Sequence, residues 1–513
     1  MADTTPHSAP AVVVKNKGLL TAAIMLAVIM QVLDTTIANV ALPHMRASLG
    51  ASQEEINWVL TSYIVAAAIA TPLTGWFSDR IGRRKLMLIA VVGFTGASLL
   101  CGMAGNLGQM VVFRVIQGMC GAVMAPLAQA TLMDINPRER LGQAMALFGA
   151  GIMFGPIIGP TLGGWLTETF NWRAVFLVNL PVGGLAFFML FALMPNSIIK
   201  IRRFDFFGFG MLALAVAATQ LLLDRGQGAD WFNSIEIWIY LGLAISGLWI
   251  FIVHCLTAEN PFLDMGMFKD RNLVMGLVLI FATGITLFSG LALMPPMLQN
   301  LMGFPVIETG LLMGPRGIGT MLSMILVGRL VARTDARVLI IGGTLLMAYS
   351  LYMMTQFDIV MGTGPILLSG LIQGVGMGLV FVPLNTLAFA TIATRYRVDA
   401  TAMFSLIRNV GQGVGISMVT TVLAQMQVVN YGELTQRLTL DSAPLRDFAA
   451  AHGGFDAVVG TLNGMISQKA AMLAFLDDYW LMMVVTLVSM PIVLLLRPPK
   501  GKAKPDMAHA MSE

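Results

Sequence analysis

Phe113-Arg114-Val115-Ile116-Gln117-Gly118 lies inside one apolar stretch of the chain, and a second Ile-Gln-Gly, Ile372-Gln373-Gly374, lies 256 residues further on inside another. The same offset carries Gly155 onto Gly411 and Gly159 onto Gly415. Gly75, with the basic run behind it, meets Gly328 with Arg329, Arg333 and Arg337 at nearly the same spacing. A chain with 53 glycines produces chance matches, but several at one offset, one of them a shared tripeptide, indicate an internal duplication. The duplicated unit is helical and apolar, and parallel helical repeats place a path between them at mid-membrane depth.

Outward from that pair of stretches the chain is 57% hydrophobic and only 11% charged over 513 residues, whereas a soluble domain carries about a quarter charged residues. Stretches of about twenty apolar residues, enough to cross ~30 Å of hydrocarbon, fall near 19–42, 56–77, 86–105, 109–132, 142–165, 173–194, 206–223, 235–256, 272–296, 308–331, 338–357, 363–390, 400–425 and 472–496. With the N-terminus inside, 22 of the 31 basic residues fall in inward connections and six in outward ones. Loop after loop obeys the positive-inside rule, so the net charge of +4 reads as topology and not as a nucleic-acid surface. An odd number of spans would break the alternation.

The expectation is therefore an all-α polytopic membrane protein of 14 spans, with both termini cytoplasmic. A tail (1–18) leads into a six-helix half (19–194). A linker (195–271) carries two extra helices. A second six-helix half (272–496) includes one long outward loop (426–471), and a tail (497–513) follows. That loop reads as amphipathic helix around a break at Ser442-Ala443-Pro444, with Gly453-Gly454 as a second punctuation. The first apolar stretch lacks a small-residue cleavage site and reads as a retained span. Cys101, Cys120 and Cys255 all sit in apolar runs, where thiols are inert packing residues, and they suggest neither a disulfide nor zinc.

Three constellations carry mechanism. Leu33-Asp34-Thr35-Thr36-Ile37-Ala38-Asn39 places a carboxylate inside the first span, at a cost of about 2.5–3.5 kcal/mol on insertion scales, and such residues face a cavity or a partner. A structural ion pair is the plain alternative. Arg114 lies within about a turn of the same depth, and its repeat position is Gly370, so the duplication breaks where a charge appears. Arg316 and Arg408 are also intramembrane. Gln31, Thr35, Asn39, Gln117, Gln373, Asn385, Arg408, Asn409 and Gln412 are the polar candidates to line a path through the bundle; Arg408, Asn409 and Gln412 equally suit an interface between halves.

The second constellation is the turn Gly75-Trp76-Phe77-Ser78-Asp79-Arg80-Ile81-Gly82-Arg83-Arg84-Lys85, whose glycines permit a tight reversal and whose Asp79 suits a basic neighbour or a helix N-terminus. The third is Gly151-Ile152-Met153-Phe154-Gly155-Pro156-Ile157-Ile158-Gly159-Pro160-Thr161-Leu162-Gly163-Gly164, where small residues every four positions admit a close partner helix and two prolines bend the span.

On these motifs the chain resembles the major facilitator superfamily, and over its whole length it is similar to the fourteen-span drug:proton antiporters of the EmrB type. The Trp172-Arg173…Phe176…Asn179-Leu180-Pro181, Asn260-Pro261…Phe268…Arg271-Asn272 and Gln468…Ala471…Asp477…Trp480 segments share that likeness. The resemblance implies two parallel six-helix halves with two inserted helices. It implies a proton-coupling role for Asp34 and Arg114, and an inner gating latch at Gly75, Asp79, Arg80, Gly82, Arg83 and Arg84. It marks Gly151, Gly155, Pro156, Gly159, Pro160, Gly163 and Gly164 as an exporter motif. Export of amphiphilic drugs or other toxic small molecules across a bacterial inner membrane follows, driven by the proton gradient with no cofactor or metal. A periplasmic membrane-fusion adaptor and an outer-membrane channel are the implied partners. The 39 methionines and 28 phenylalanines suit adaptable apolar recognition, although most of them must face lipid or neighbouring helices. A transporter of one metabolite, peptide or fatty acid fits the same scaffold. A polytopic enzyme or sensor needs a catalytic constellation, and the five histidines are scattered.

Overall fold

The computed structural model describes residues 16–497 apart from 53–54, 138–139, 198, 200–202, 332, 438–445, 447–449 and 452–454. Fourteen helical segments occupy the fourteen apolar stretches. They are α1 (Lys17–Leu49), α2 (Glu55–Ala70 and Leu73–Ile81, bent by 59°), α3 (Arg83–Met103), α4 (Leu107–Ile135), α5 (Leu141–Thr169), α6 (Ala174–Leu193), α7 (Phe206–Arg225) and α8 (Ile235–Thr257). The second part comprises α9 (Arg271–Leu301), α10 (Val306–Leu330), α11 (Ala336–Met354), α12 (Gly364–Ala388), α13 (Arg397–Arg437) and α14 (Phe455–Ser489).

Twelve of these are single helices long and apolar enough to cross a bilayer, and the bent α2 makes thirteen. The helix outside that set is α13, which carries Arg408, Asn409 and Gln412 between its apolar positions. Most of the described part of the expected outward loop continues two spans, because α13 runs on to Arg437 and α14 already begins at Phe455. Ser442-Ala443-Pro444, Gly453-Gly454, residues 1–15 and residues 498–513 lie outside the described residues.

Local chemistry sets the boundaries. Asn106, Asp205, Asp270 and Asp335 cap α4, α7, α9 and α11 by accepting from backbone N–H groups of the first turn. Gly82, at φ 85°, turns α2 into α3 where a side chain would be strained. Helix α1 continues through Pro43, past the expected end at 42, and stops at Gly50 in the left-handed conformation.

The duplication is visible in the packing. Helix α1 lies on α5 and α6, α2 on α4, and α3 on α4 and α6; correspondingly α9 lies on α13 and α14, α10 on α12, and α11 on α12 and α14. The hairpin α7–α8 stands outside this scheme, and α7 touches both α2 and α13, so the inserted pair spans the boundary between the halves. Across that boundary α5 runs along α10, from Gly142 beside Gly328 to Thr161 beside Gly310. The three thiols are free, with Cys101 and Cys255 buried and Cys120 partly so.

Candidate functional site

Asp34 sits in the middle of α1 with no exposed surface, as does Arg114 of α4. Arg114 Nη1 donates to Asp34 Oδ2 at 2.7 Å. The other carboxylate oxygen accepts from Gln117 Nε2 at 2.9 Å and from Asn179 Nδ2 at 2.7 Å. Arg114 is held in turn by Val59 O (3.0 Å from Nε) and Gln117 Oε1 (2.7 Å from Nη1), with its guanidinium over the Tyr63 ring at 4.3 Å. Asn179 also donates to Ser98 Oγ at 2.9 Å, and that hydroxyl donates to Phe176 O. Donors from α4 and α6 thus meet on the α1 carboxylate, with α2 holding Arg114 and α3 holding Asn179 behind them. Removing one partner of such a buried pair costs about 3–5 kcal/mol, so the cluster is rigid while the residues stay charged.

The glycine run explains how α1 comes to sit there. Gly151, Gly155, Gly159 and Gly163 form one stripe on α5, against Met25, Val32 with Leu33, Thr36 and Ile37 of α1. A Cβ at Gly155 would lie 3.0 Å from Leu33 N, and one at Gly163 3.2 Å from Ile37 Cα. Thr36 Oγ1 donates across the seam to Gly155 O at 3.2 Å. Gly164 is off the stripe, with open space where its Cβ would be. Pro156 turns toward a small cavity beside Arg316, and Pro160 is partly buried.

The remaining expected path residues separate. Thr35 spends its hydroxyl on Val32 O of its own helix at 2.8 Å, and Asn39 is exposed. Gln31 keeps a buried Oε1 without a partner among the described residues. Gln373 is 1% exposed, and neither its Oε1 nor its Nε2 is bonded to a described residue. Asn385 accepts from Gln129 Nε2 at 2.7 Å. Arg408, Asn409 and Gln412 are half-buried on α13, with no side-chain hydrogen bond among the described residues.

At the end of the bundle that carries the α2–α3 turn, the carboxylate that gathers charges is Asp134 of α4. Arg83 and Arg397 both pair with it. Asp79 has no ion pair or hydrogen bond with a described residue, so the partner expected for it is not the tie seen here. Gly75 abuts the Asp399 side chain at the start of α13. Arg83 N takes Ser197 Oγ at 2.8 Å, Arg84 binds Asn196 Oδ1 and Phe191 O, and Arg80 is exposed. Gly82 supplies the turn.

The sequence alone gives no role to Asn179, Ser98, Tyr63, Asp134 and Gln129, nor to Asp478 of α14, which is fully buried with both carboxylate oxygens unbonded among the described residues. The legible signal was a polar residue inside an apolar span; nothing in spacing alone says which such residues meet.

The major facilitator superfamily model matches residues 24–416. The chain belongs to that superfamily. The fatty acid resistance protein FarB of Neisseria gonorrhoeae is 34% identical over 487 residues, covering 93% of this chain and 96% of FarB. The multidrug export protein EmrB of Escherichia coli (strain K12) is 30% identical over 490 residues, covering 94% and 96%. A double-tryptophan mutant of XylE superposes with a TM-score of 0.62 at 17% identity, covering 94% of this chain and 96% of that one. Human MFSD10 gives 0.57 at 14% identity, covering 91% and 99%. These two likenesses speak to fold alone. The chain is thus a multi-pass membrane transporter of the major facilitator fold, related to the EmrB and FarB efflux proteins, and not an enzyme.

Proposed function

We propose that this transporter is a proton-coupled antiporter. It exports amphiphilic drugs or other toxic small molecules across the bacterial inner membrane by alternating access, with both termini in the cytoplasm. The observation that carries the reading is the fully buried Asp34 with Arg114, Gln117 and Asn179 around it. Burial favours the neutral acid, whereas a neighbouring cation and hydrogen-bond donors favour the carboxylate. A conformational change that parts α1 from α4 or α6 changes that balance, so Asp34 takes a proton in one state and gives it up in the other. One proton driven by ~100 mV and one pH unit supplies ~2.3 plus ~1.4 kcal/mol. That sustains a gradient of roughly a few hundred-fold for a neutral substrate exchanged one for one.

With the basic connections inside, the α2–α3 turn is cytoplasmic. The ties of Asp134 to Arg83 and Arg397 then close the inner side in this conformation, with Gly75, Asp79, Arg80, Gly82, Arg83 and Arg84 forming the latch. The similarity to EmrB supports a tripartite arrangement, in which the extended ends of α13 and α14 face a periplasmic adaptor and an outer-membrane channel.

The test is drug-driven proton release from everted vesicles or proteoliposomes. Asp34→Asn keeps the side-chain shape but leaves the buried Arg114 uncompensated, so protein level and melting temperature are measured beside transport; the variant that inserts and folds is expected to lose the coupling. Wild-type coupling in that variant sinks Asp34 as the carrier.

A further inference from the structure

The 256-residue offset that joins Gln117 to Gln373 carries Asp34 onto Gly290 of α9 and Arg114 onto Gly370 of α12. The second half therefore keeps the glutamine of the buried cluster and lacks both its carboxylate and its arginine. An arginine is nevertheless present. Arg316 enters from the neighbouring α10, and its Cβ lies 3.6 Å from where a Cβ on Gly370 would be, in the room that the missing side chain leaves. A Cβ on Gly290 would meet Arg316 Nη1 at 3.3 Å, Arg316 Nη2 at 3.5 Å and Gln373 Nε2 at 3.7 Å. The donor types that converge on Asp34 in the first half converge here on a residue with no side chain.

These donors are buried and only partly spent. Arg316 is 8% exposed and Gln373 1%. Arg316 Nη2 donates to Leu287 O at 3.1 Å, while Arg316 Nη1 and both polar atoms of the Gln373 amide have no partner among the described residues. Arg316 forms no ion pair with a described residue. Buried guanidinium groups are normally paired, because an uncompensated charge in a low dielectric is costly. Beside Arg316 lies a cavity of about 30 Å³, bounded by Met153, Pro156 and Ile157 of the first half and by Leu287, Leu291, Met313 and Thr320 of the second. A cavity of that size has room for about one water-sized polar group in this conformation. Its walls come from both halves and, apart from Arg316 and Thr320, are apolar.

We propose that Arg316 and Gln373 form an anion subsite, which receives the carboxylate of an amphiphilic substrate in the place that Asp34 occupies in the first half. The planar guanidinium matches a carboxylate in two-point geometry, the Gln373 amide adds a third donor, and the apolar tail lies between α5 and the α9–α10 wall. A neutral or cationic head leaves Arg316 uncompensated. Calling the bound anion cargo rests on the export function proposed above; the subsite itself does not.

The experiment measures binding to the purified full-length protein in neutral detergent, with decanoate, methyl decanoate and decylammonium as probes. Decanoate is expected to bind and raise the melting temperature, while the ester and the amine do neither. Arg316→Gln is expected to weaken decanoate binding at least tenfold. Gly290→Asp places a carboxylate within the protein's own reach of Arg316 and Gln373. It is expected to weaken decanoate binding at least tenfold while melting no lower than wild type without ligand, which separates a filled site from a failed fold. Equal affinity for the ester and the acid, or wild-type decanoate affinity in both variants, overturns the subsite. Decanoate binding without proton-coupled export refutes the transport reading and leaves the subsite standing; proton-coupled export without decanoate binding does the reverse.

Discussion

Gln129 and Asn385 occupy the same position in the two halves, 256 residues apart, and the amide of one donates to the other's Oδ1 at 2.7 Å. Parallel repeats are related by an axis along the membrane normal, and two equivalent residues touch only beside that axis. Helices α4 and α12 therefore meet at the pseudo-twofold itself. Thr401 Oγ1 donates to Pro126 O at 3.1 Å, and Arg397 reaches Asp134 from the other half. Asn385, expected to line a path, is buried and spends its amide on Gln129 and on Phe381 O.

The pair is expected to behave as a unit. Gln129→Leu or Asn385→Leu alone strands a buried amide and costs about 1–3 kcal/mol, whereas the double variant strands neither. Thermal unfolding of the singles and the double should show a double variant less destabilised than the sum. Additive losses would mean that the bond across the axis does not contribute.

Asp134 is expected to matter more than Asp79 for inner closure, because two arginines from different segments meet on it and none among the described residues meets Asp79. Asp134→Asn should raise the reactivity of a cysteine placed at Thr401 toward an impermeant maleimide applied from the cytoplasmic side, and should slow turnover. Asp79→Ala should do so less in this conformation. A larger effect from Asp79→Ala would return the latch to that residue.

The duplication, the spans and the α1–α5 seam were legible because they rest on periodic signals: apolar length, basic-residue bias, and small residues every four positions. Asp34 and Arg114 were legible because a charge in an apolar stretch is conspicuous. Asn179 was not, since an asparagine at the start of a span reads equally as a helix-terminal residue; only the fold reveals that α6 delivers it to Asp34. The departure of α13 from the apolar set has the same origin as its interest. Its polar residues lower the hydropathy of a helix that lies in the bundle against α9 and α14. Asp134 stayed hidden because its partners, Arg83 and Arg397, are 51 and 263 residues away in sequence.

Asn179→Ala should alter coupling without abolishing it. Asn179 Nδ2 donates to Asp34 Oδ1 at 2.7 Å, and with Arg114 and Gln117 it fixes the position of that carboxylate. Drug-driven proton release should fall in the variant, by less than in Asp34→Asn, with protein level kept. Release equal to wild type would show that Asn179 does not act through Asp34.

Asp478 offers the clearest stability test. Its side chain is fully buried on α14, and neither oxygen has a hydrogen-bond partner among the described residues, while its neighbour Asp477 accepts from Asn430 Nδ2 at 3.1 Å. Around it the helix face is apolar: Ala474, Phe475, Tyr479 and Met482 are all buried, and the Tyr479 hydroxyl is spent on the sulfurs of Met294 and Met297. An unsatisfied buried polar group costs about 1–3 kcal/mol, and replacing it by an apolar group of similar shape removes that cost. Asp478→Leu keeps the branch at Cγ and the number of side-chain heavy atoms but is bulkier, so overpacking returns part of the gain. The variant should unfold at a higher temperature in detergent, with Asp478→Asn, which keeps two unpaired polar atoms, gaining less. A lower melting temperature for Asp478→Leu would show that a donor holds this carboxylate in the membrane.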